Sequence, residues 1–183
     1  MERTVEVPLG VVIERRAIDN PWQRWRWRPV SVIPGGPPIE EARVLLHGEG
    51  WMHVHAATLP LRLHRRETEA YRVNLSNRPP RVWVVLRPRE EEDAESERAY
   101  RPLLVTASPY EAQDYLDSAE DIVEAVRMPD EIIAWVQAFV DRHHVDEPFI
   151  KRMRRPAEPE GSALARRPSG AGRRGWGGGR PDD

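Results

Sequence analysis

At 183 residues the chain has room for one domain plus extensions, and with 39% hydrophobic and 32% charged residues part of it lies outside any core. Its 28 basic and 30 acidic residues leave a net charge of -2, and the absence of cysteine excludes disulfides, thiolate-bound metals and cysteine nucleophiles. The apolar run at residues 82–86, which no other exceeds, falls far short of the roughly 20 residues a membrane helix needs, and the opening Met1-Glu2-Arg3 carries no apolar signal segment, so a cytoplasmic location is expected.

Residues 5–14 read as a strand bent by Pro8 and Gly10. Residues 25–33 alternate, with Trp25, Trp27 and Pro29 on one parity and Arg26, Arg28 and Val30 on the other, the period of a strand with unlike faces. Pro29 makes this an edge strand or a bulged one. Residues 33–38, rich in proline and glycine, form a loop. Further strands are expected at 44–47, 51–57, 59–64, 70–75, 81–86 and 103–107, and their short separations favour antiparallel neighbours. Residues 87–101 are dense in charge, with an acidic run at 90–93, and read as a solvated hairpin loop or a disordered insertion.

Ser108-Pro109-Tyr110-Glu111 marks a helix start: a capping serine, a proline at the first helical position and a glutamate that completes a capping box. That helix runs to about residue 116, and a last strand covers 121–126. Pro129 then opens a longer helix to about residue 143, whose Ile132, Val136, Phe139, Val140 and His143 share one face. The sum is an α+β fold: a twisted, mainly antiparallel sheet or half-barrel with two C-terminal helices on one side.

Charge divides the chain. Residues 1–150 carry 19 basic and 26 acidic side chains, whereas residues 151–183 carry 9 and 4, together with seven of the 12 glycines. Residues 1–155 are therefore read as a single domain and 156–183 as a disordered Arg/Gly-rich tail, too poor in apolar side chains to offset its ordering entropy. Such a tail either holds nucleic acid or an acidic surface by charge, or is a solvated terminus.

His53 and His55 stand two apart on a strand and face the same way, two of the ligands a metal ion needs. No third ligand follows at a recognisable spacing, so a polar strand face is the plainer reading and no metal site is assigned. His143 and His144 point apart on a helix and suit the dipole at its C-terminus. Arg24, Arg26 and Arg28 interleave with Trp25 and Trp27, a pattern that single-stranded nucleic acid can use. On a strand, however, the tryptophans turn to the core and the arginines to solvent or to acids. The acidic balance of residues 1–150 also opposes a broad phosphate surface.

Gly35-Gly36 and Gly48-Glu49-Gly50 match no phosphate-binding loop, and no serine has a nucleophile-elbow context. No catalytic residue and no cofactor is assigned. The binding candidates are Glu69, Tyr71, Arg72, Asn74 and Arg81 in a Tyr/Arg-rich stretch, with Ser108, Tyr110 and Gln113 at the helix start. Tyrosine and arginine are common interface anchors, and a helix N-terminus receives anions. Packing of Tyr110 onto the sheet is the competing reading.

Several strings taken together resemble a known family: residues 7–16 from Val7-Pro8-Leu9-Gly10, then Asn20-Pro21-Trp22 and Trp25-Arg26-Trp27-Arg28-Pro29, residues 67–76 and 79–86, residues 105–115 and residues 135–140. Over residues 5–152 the chain resembles an uncharacterised proteobacterial family of unknown function, encoded beside genes for NAD-linked, molybdenum-dependent formate dehydrogenases. The resemblance implies a context: a non-catalytic accessory or maturation factor that binds a formate dehydrogenase subunit or its molybdenum cofactor; hydropathy gives no membrane partner, and charge disfavours nucleic acid. Two alternatives stand beside it. A small enzyme acting on a cofactor precursor or phosphorylated ligand requires Arg72, Arg81, Glu69 and His64 to converge in a deep pocket. A single-stranded nucleic-acid binder would use Trp25, Trp27 and the tail.

Overall fold

Two antiparallel sheets bury the apolar parities of their strands against each other. The computed structural model describes residues 4–89 and 100–145. The first sheet contains β1 (Thr4–Ala17), β2 (Trp25–Pro34), β3 (Arg43–Gly48) and β4 (Trp51–His64) in the order β2-β1-β4-β3. The second contains β5 (Arg81–Pro88), β6 (Tyr100–Thr106) and β7 (Ile122–Arg127) in the order β6-β5-β7. β4 approaches β6 and β2 approaches β7, so the two open sheets face one another like halves of a barrel. The α+β class read from the sequence is the one observed.

The core side chains follow the two-residue period within β1, β4 and β5, and change parity in β2 across its register shift. Leu9, Val11 and Ile13 of β1 are buried with Trp27 and Val32 of β2, Leu61 and Leu63 of β4, and Val82, Val84 and Leu86 of β5. Trp25 packs against this core from the same parity as Trp27. Pro29 sits where the register shifts, Val12 facing Ser31 and Ile13 facing Pro29, and β2 is an edge strand. Those are the two settings that tolerate a missing N–H.

Three expectations are corrected. Residues 51–57 and 59–64 form one strand, β4, rather than two: Leu59, Pro60 and Leu61 pair in unbroken register with Leu9, Pro8 and Val7. Residues 70–75 are not a strand but part of α1 (Thr68–Leu75), which follows a 3-10 turn, Arg65–Glu67. Thr68, Ala70, Tyr71 and Asn74 are its buried residues, at helical spacing, whereas Val73 is exposed. The described residues therefore hold three α-helices, α1, α2 (Pro109–Leu116) and α3 (Asp130–His143), rather than two.

The helix starts read from the sequence are in place. Ser108 Oγ accepts a hydrogen bond from Glu111 N at 3.3 Å, with Pro109 in the first turn. α3 buries Ile132, Val136, Phe139 and Val140, and Phe139 meets Tyr71 of α1 edge-on at 6.2 Å. Arg87 and Pro88 pair with Arg101 and Tyr100, so the ends of the expected charged loop extend the β5–β6 ladder. Residues 90–99 and the expected tail, 156–183, lie outside the described residues. Among those described, no helix is long and apolar enough to cross a membrane.

Candidate functional site

Arg15 stands two residues beyond Ile13 on β1, so the strand period carries it to the apolar side. It is buried, and its guanidinium lies 4.2 Å from the Trp25 ring centroid and 6.0 Å from that of Trp27. Stacking on aromatic faces suits a planar, weakly hydrated cation in an apolar setting. Beside it is a cavity of about 110 Å³ walled by Ile13, Trp27, Val44, Met52, Val54, Ala56 and Pro102, with Arg15, Arg89 and Tyr100 as polar members. Among the described residues no acidic side chain lines it. Arg89 Nε is enclosed without a hydrogen-bond partner among the described residues, an uncommon state for a buried donor.

Strand β3 forms the lip. It is an edge strand, exposed along its whole length, and Val44, Leu45 and Leu46 remain 56%, 46% and 59% accessible. The register with β4 shifts between Val44 and Leu46, leaving Leu45 as a bulge.

The other parity of β1 carries a buried acid. Register places Arg28 of β2 and His53 of β4 on either side of Glu14, and Arg16 follows two residues on. Arg16 Nη2 lies 2.9 Å, Arg28 Nε 3.0 Å and His53 Nε2 3.2 Å from its carboxylate oxygens. The Arg16 hydrogen bond does most to hold the Glu14 carboxyl at about 2, below the usual 4.5; burial opposes it, and His53 and Arg28 add to the lowering. An acid this firmly ionised makes a poor proton acceptor near neutral pH and acts as a tie between three strands.

His55 goes elsewhere. It is buried against Gly10, and its Nε2 meets Thr58 Oγ1 at 3.0 Å. The two strand histidines therefore serve different partners, and no cluster of three metal-type ligands occurs among the described residues.

The binding candidates named from the sequence separate into two groups. Tyr71, Asn74 and Ser108 are buried and spend their polar atoms on the fold. Tyr71 Oη accepts from His64 N at 3.0 Å, and burial pushes its phenol above the usual range. Asn74 donates to Arg81 O at 2.7 Å and Ala107 O at 2.8 Å, and accepts from Arg81 N at 2.9 Å, pinning α1 to the starts of β5 and α2. The others are nearer solvent. Glu69 and Arg72 pair at 3.5 Å within α1, and His144 meets both Arg72 and Thr68. Tyr110 and Gln113 are exposed on α2. Glu69, Ser108 and Tyr110 border an open cleft that also holds Glu67, Glu111 and Asp114 against one cation, Arg66, so its acidic balance is unfavourable for an anion. His64 lines a neighbouring cleft with Thr4, Arg65 and Arg66, of which only Arg66 also lines the cleft at Glu69. Trp27 is buried, and Trp25 is half-buried with the Arg15 and Arg24 guanidiniums 4.2 and 5.2 Å from its ring centroid.

Apart from Trp27, the cavity residues were not singled out from the sequence. The one readable signal was Arg15 itself, a charge on the apolar parity of a strand.

Residues 8–153 match the model of a family described as a protein of unknown function, DUF3305. The chain belongs to that family. The match includes the cavity, β3 and all three helices. No curated protein and no solved structure matches the chain.

Proposed function

We propose that the chain is a non-catalytic binding protein that serves a molybdenum-dependent formate dehydrogenase as an accessory or maturation factor in the cytoplasm, holding a subunit of the enzyme or its molybdenum cofactor. One observation carries the binding part: β3 exposes three consecutive apolar side chains, the first of which, Val44, lines a cavity that holds two guanidiniums among apolar walls. Apolar surface rimmed by specific polar groups is what recognition sites present. Elsewhere the ionic groups favour structure over chemistry, since Glu14 and Asp121 are each buried in hydrogen-bonded pairs with arginine. The enzyme partner is supported by the resemblance of residues 5–152 to a family encoded beside such dehydrogenases.

The test is affinity purification of the tagged full chain from its native host, with molybdopterin analysis of the eluate, beside formate dehydrogenase activity in a deletion strain. The reading expects the dehydrogenase or its cofactor to co-purify and activity to fall. No association together with normal activity rejects it.

A further inference from the structure

We infer that the outer face of the first sheet, at the end carrying Arg16, Arg26, Arg28 and Trp51, receives an acidic segment of a partner protein. This deepens the binding reading above and rests on it for the partner's identity. Register assembles the face. Arg16 pairs with Arg26 of β2 and with Trp51 of β4; in the next row Glu14 pairs with Arg28 and His53, and Leu46 of β3 pairs with His53. Residues paired directly across strands share one side of a sheet. These side chains therefore stand together, on the parity opposite the core residues Leu9, Val11 and Ile13.

Charge selects the chemistry of the occupant. Glu14, 3% exposed at its side chain, takes hydrogen bonds from Arg16 Nε and Nη2 and from Arg28 Nε. Arg16 Nη1, both Nη atoms of Arg28 and the whole Arg26 fork have no acceptor among the described residues, and all three arginines reach solvent. One carboxylate thus stands against three guanidiniums, which offer further carboxylates charge-assisted, bidentate bonds. Asp19 and Glu49 belong to the β1–β2 loop and the β3–β4 turn rather than to this face.

The apolar groups select a protein. Leu46 is 59% exposed beside His53, and Trp22, on the loop at the same end of the sheet, is 93% exposed. Ala17 N donates to Gly50 O at 2.7 Å, which joins that loop to the β3–β4 turn. Tryptophan and arginine are the residue types on which interface energy concentrates. Single-stranded nucleic acid needs successive open aromatic faces. Trp27 is buried, however, and Trp51 already has the His53 ring at 5.0 Å and the Arg16 guanidinium at 5.9 Å. A second copy of this chain would bring its acidic α1–α2 cleft here, a heterologous contact that builds rings or open filaments.

The test uses the purified full chain and the blocked peptide acetyl-Glu-Leu-Glu-Glu-Leu-amide, with its Gln-for-Glu analogue and a short oligothymidylate as comparisons. Backbone amide shifts and tryptophan emission report binding. The expected result is saturable binding of the acidic peptide, about tenfold tighter than the neutral analogue and weaker as salt is raised, with shifts centred on Arg16, Arg26 and Trp51. Arg26→Glu should weaken it about tenfold with the melting temperature unchanged. Arg62→Glu, the same charge change at the other end of β4, should not weaken it. No saturable binding, equal binding of the neutral analogue, equal loss in the two variants or shifts remote from this face overturns the inference. So does tighter binding of the oligothymidylate, which marks a nucleic-acid surface, or self-association abolished by Arg26→Glu, which marks a homotypic contact. No dehydrogenase is present in this assay. Its failure therefore leaves co-purification to decide the partner, and failed co-purification leaves the acid-binding face standing.

Discussion

Replacing Glu14 with glutamine removes one charge and little volume from the junction of β1, β2 and β4. In the folded chain the carboxyl is held at about 2, against 4.5 when unperturbed, so its ionised form favours folding by about 3 kcal/mol at neutral pH. The folded value is the lower one. The contribution is therefore complete above pH 4.5 and is lost as the pH falls toward 2. Arg16 and Arg28 are 42% and 44% exposed at the side chain and regain water when their partner is neutral, which keeps the cost of Glu14→Gln near this figure rather than above it. Urea unfolding of parent and variant at several pH values measures the difference directly. The gap should be about 3 kcal/mol at pH 7 and about 1.5 kcal/mol at pH 3. A gap below about 0.5 kcal/mol at pH 7, or one that does not change with pH, refutes the description of Glu14 as an ionised tie between strands.

Asn74→Ala strips three hydrogen bonds from backbone groups, a buried one of Ala107 and two part-buried ones of Arg81, and should cost about 2–4 kcal/mol in denaturant unfolding; a loss under about 0.5 kcal/mol would mean those groups find other partners. Gly36→Ala places a methyl 2.7 Å from Gly10 N and 2.9 Å from Gly10 Cα, both backbone, and should destabilise by about 1–3 kcal/mol. Gly35→Ala meets no neighbour and bears only its positive φ, about 1 kcal/mol, so thermal melts that reverse this order contradict the packing of the 33–38 loop against β1. Asp121 is buried and takes both Arg87 hydrogen bonds, at 3.0 and 2.8 Å, which hold its carboxyl below the usual range. Asp121→Asn should therefore destabilise at pH 7 and less so in acid, and unfolding midpoints that fall equally at both pH values count against it.

Much of the scaffold was legible because one parity of each strand is apolar. Trp25 and Trp27 faced the core as their alternation implied, and Ser108 capped the helix that its neighbours announced. Two errors share a cause, local pattern competing with tertiary register. Residues 70–75 read as a strand, yet the contact of Tyr71 with Phe139 and the three bonds of Asn74 select a helix. The break expected at Thr58 is absent, because Thr58 faces Gly10 in the β1–β4 ladder. The candidate site was less legible because no single segment contains it. Its walls come from β1, β2, β3, β4 and β6, and only the register that brings Ile13 opposite Val54 assembles them. The Tyr/Arg-rich stretch drew attention by composition, but Tyr71 and Asn74 are consumed by packing and hydrogen bonding inside the domain.

The central claim is that the lip formed by β3 is where this chain meets its partner. Site-specific photocrosslinking from position 46 in the native host tests it most directly, since Leu46 is exposed on that lip, with Arg62 of the same sheet as the control position. The account predicts a crosslink from position 46, absent from position 62, that identifies a formate dehydrogenase polypeptide. Crosslinks from position 46 that reach only a second copy of the chain, or that do not exceed those from position 62, would contradict it.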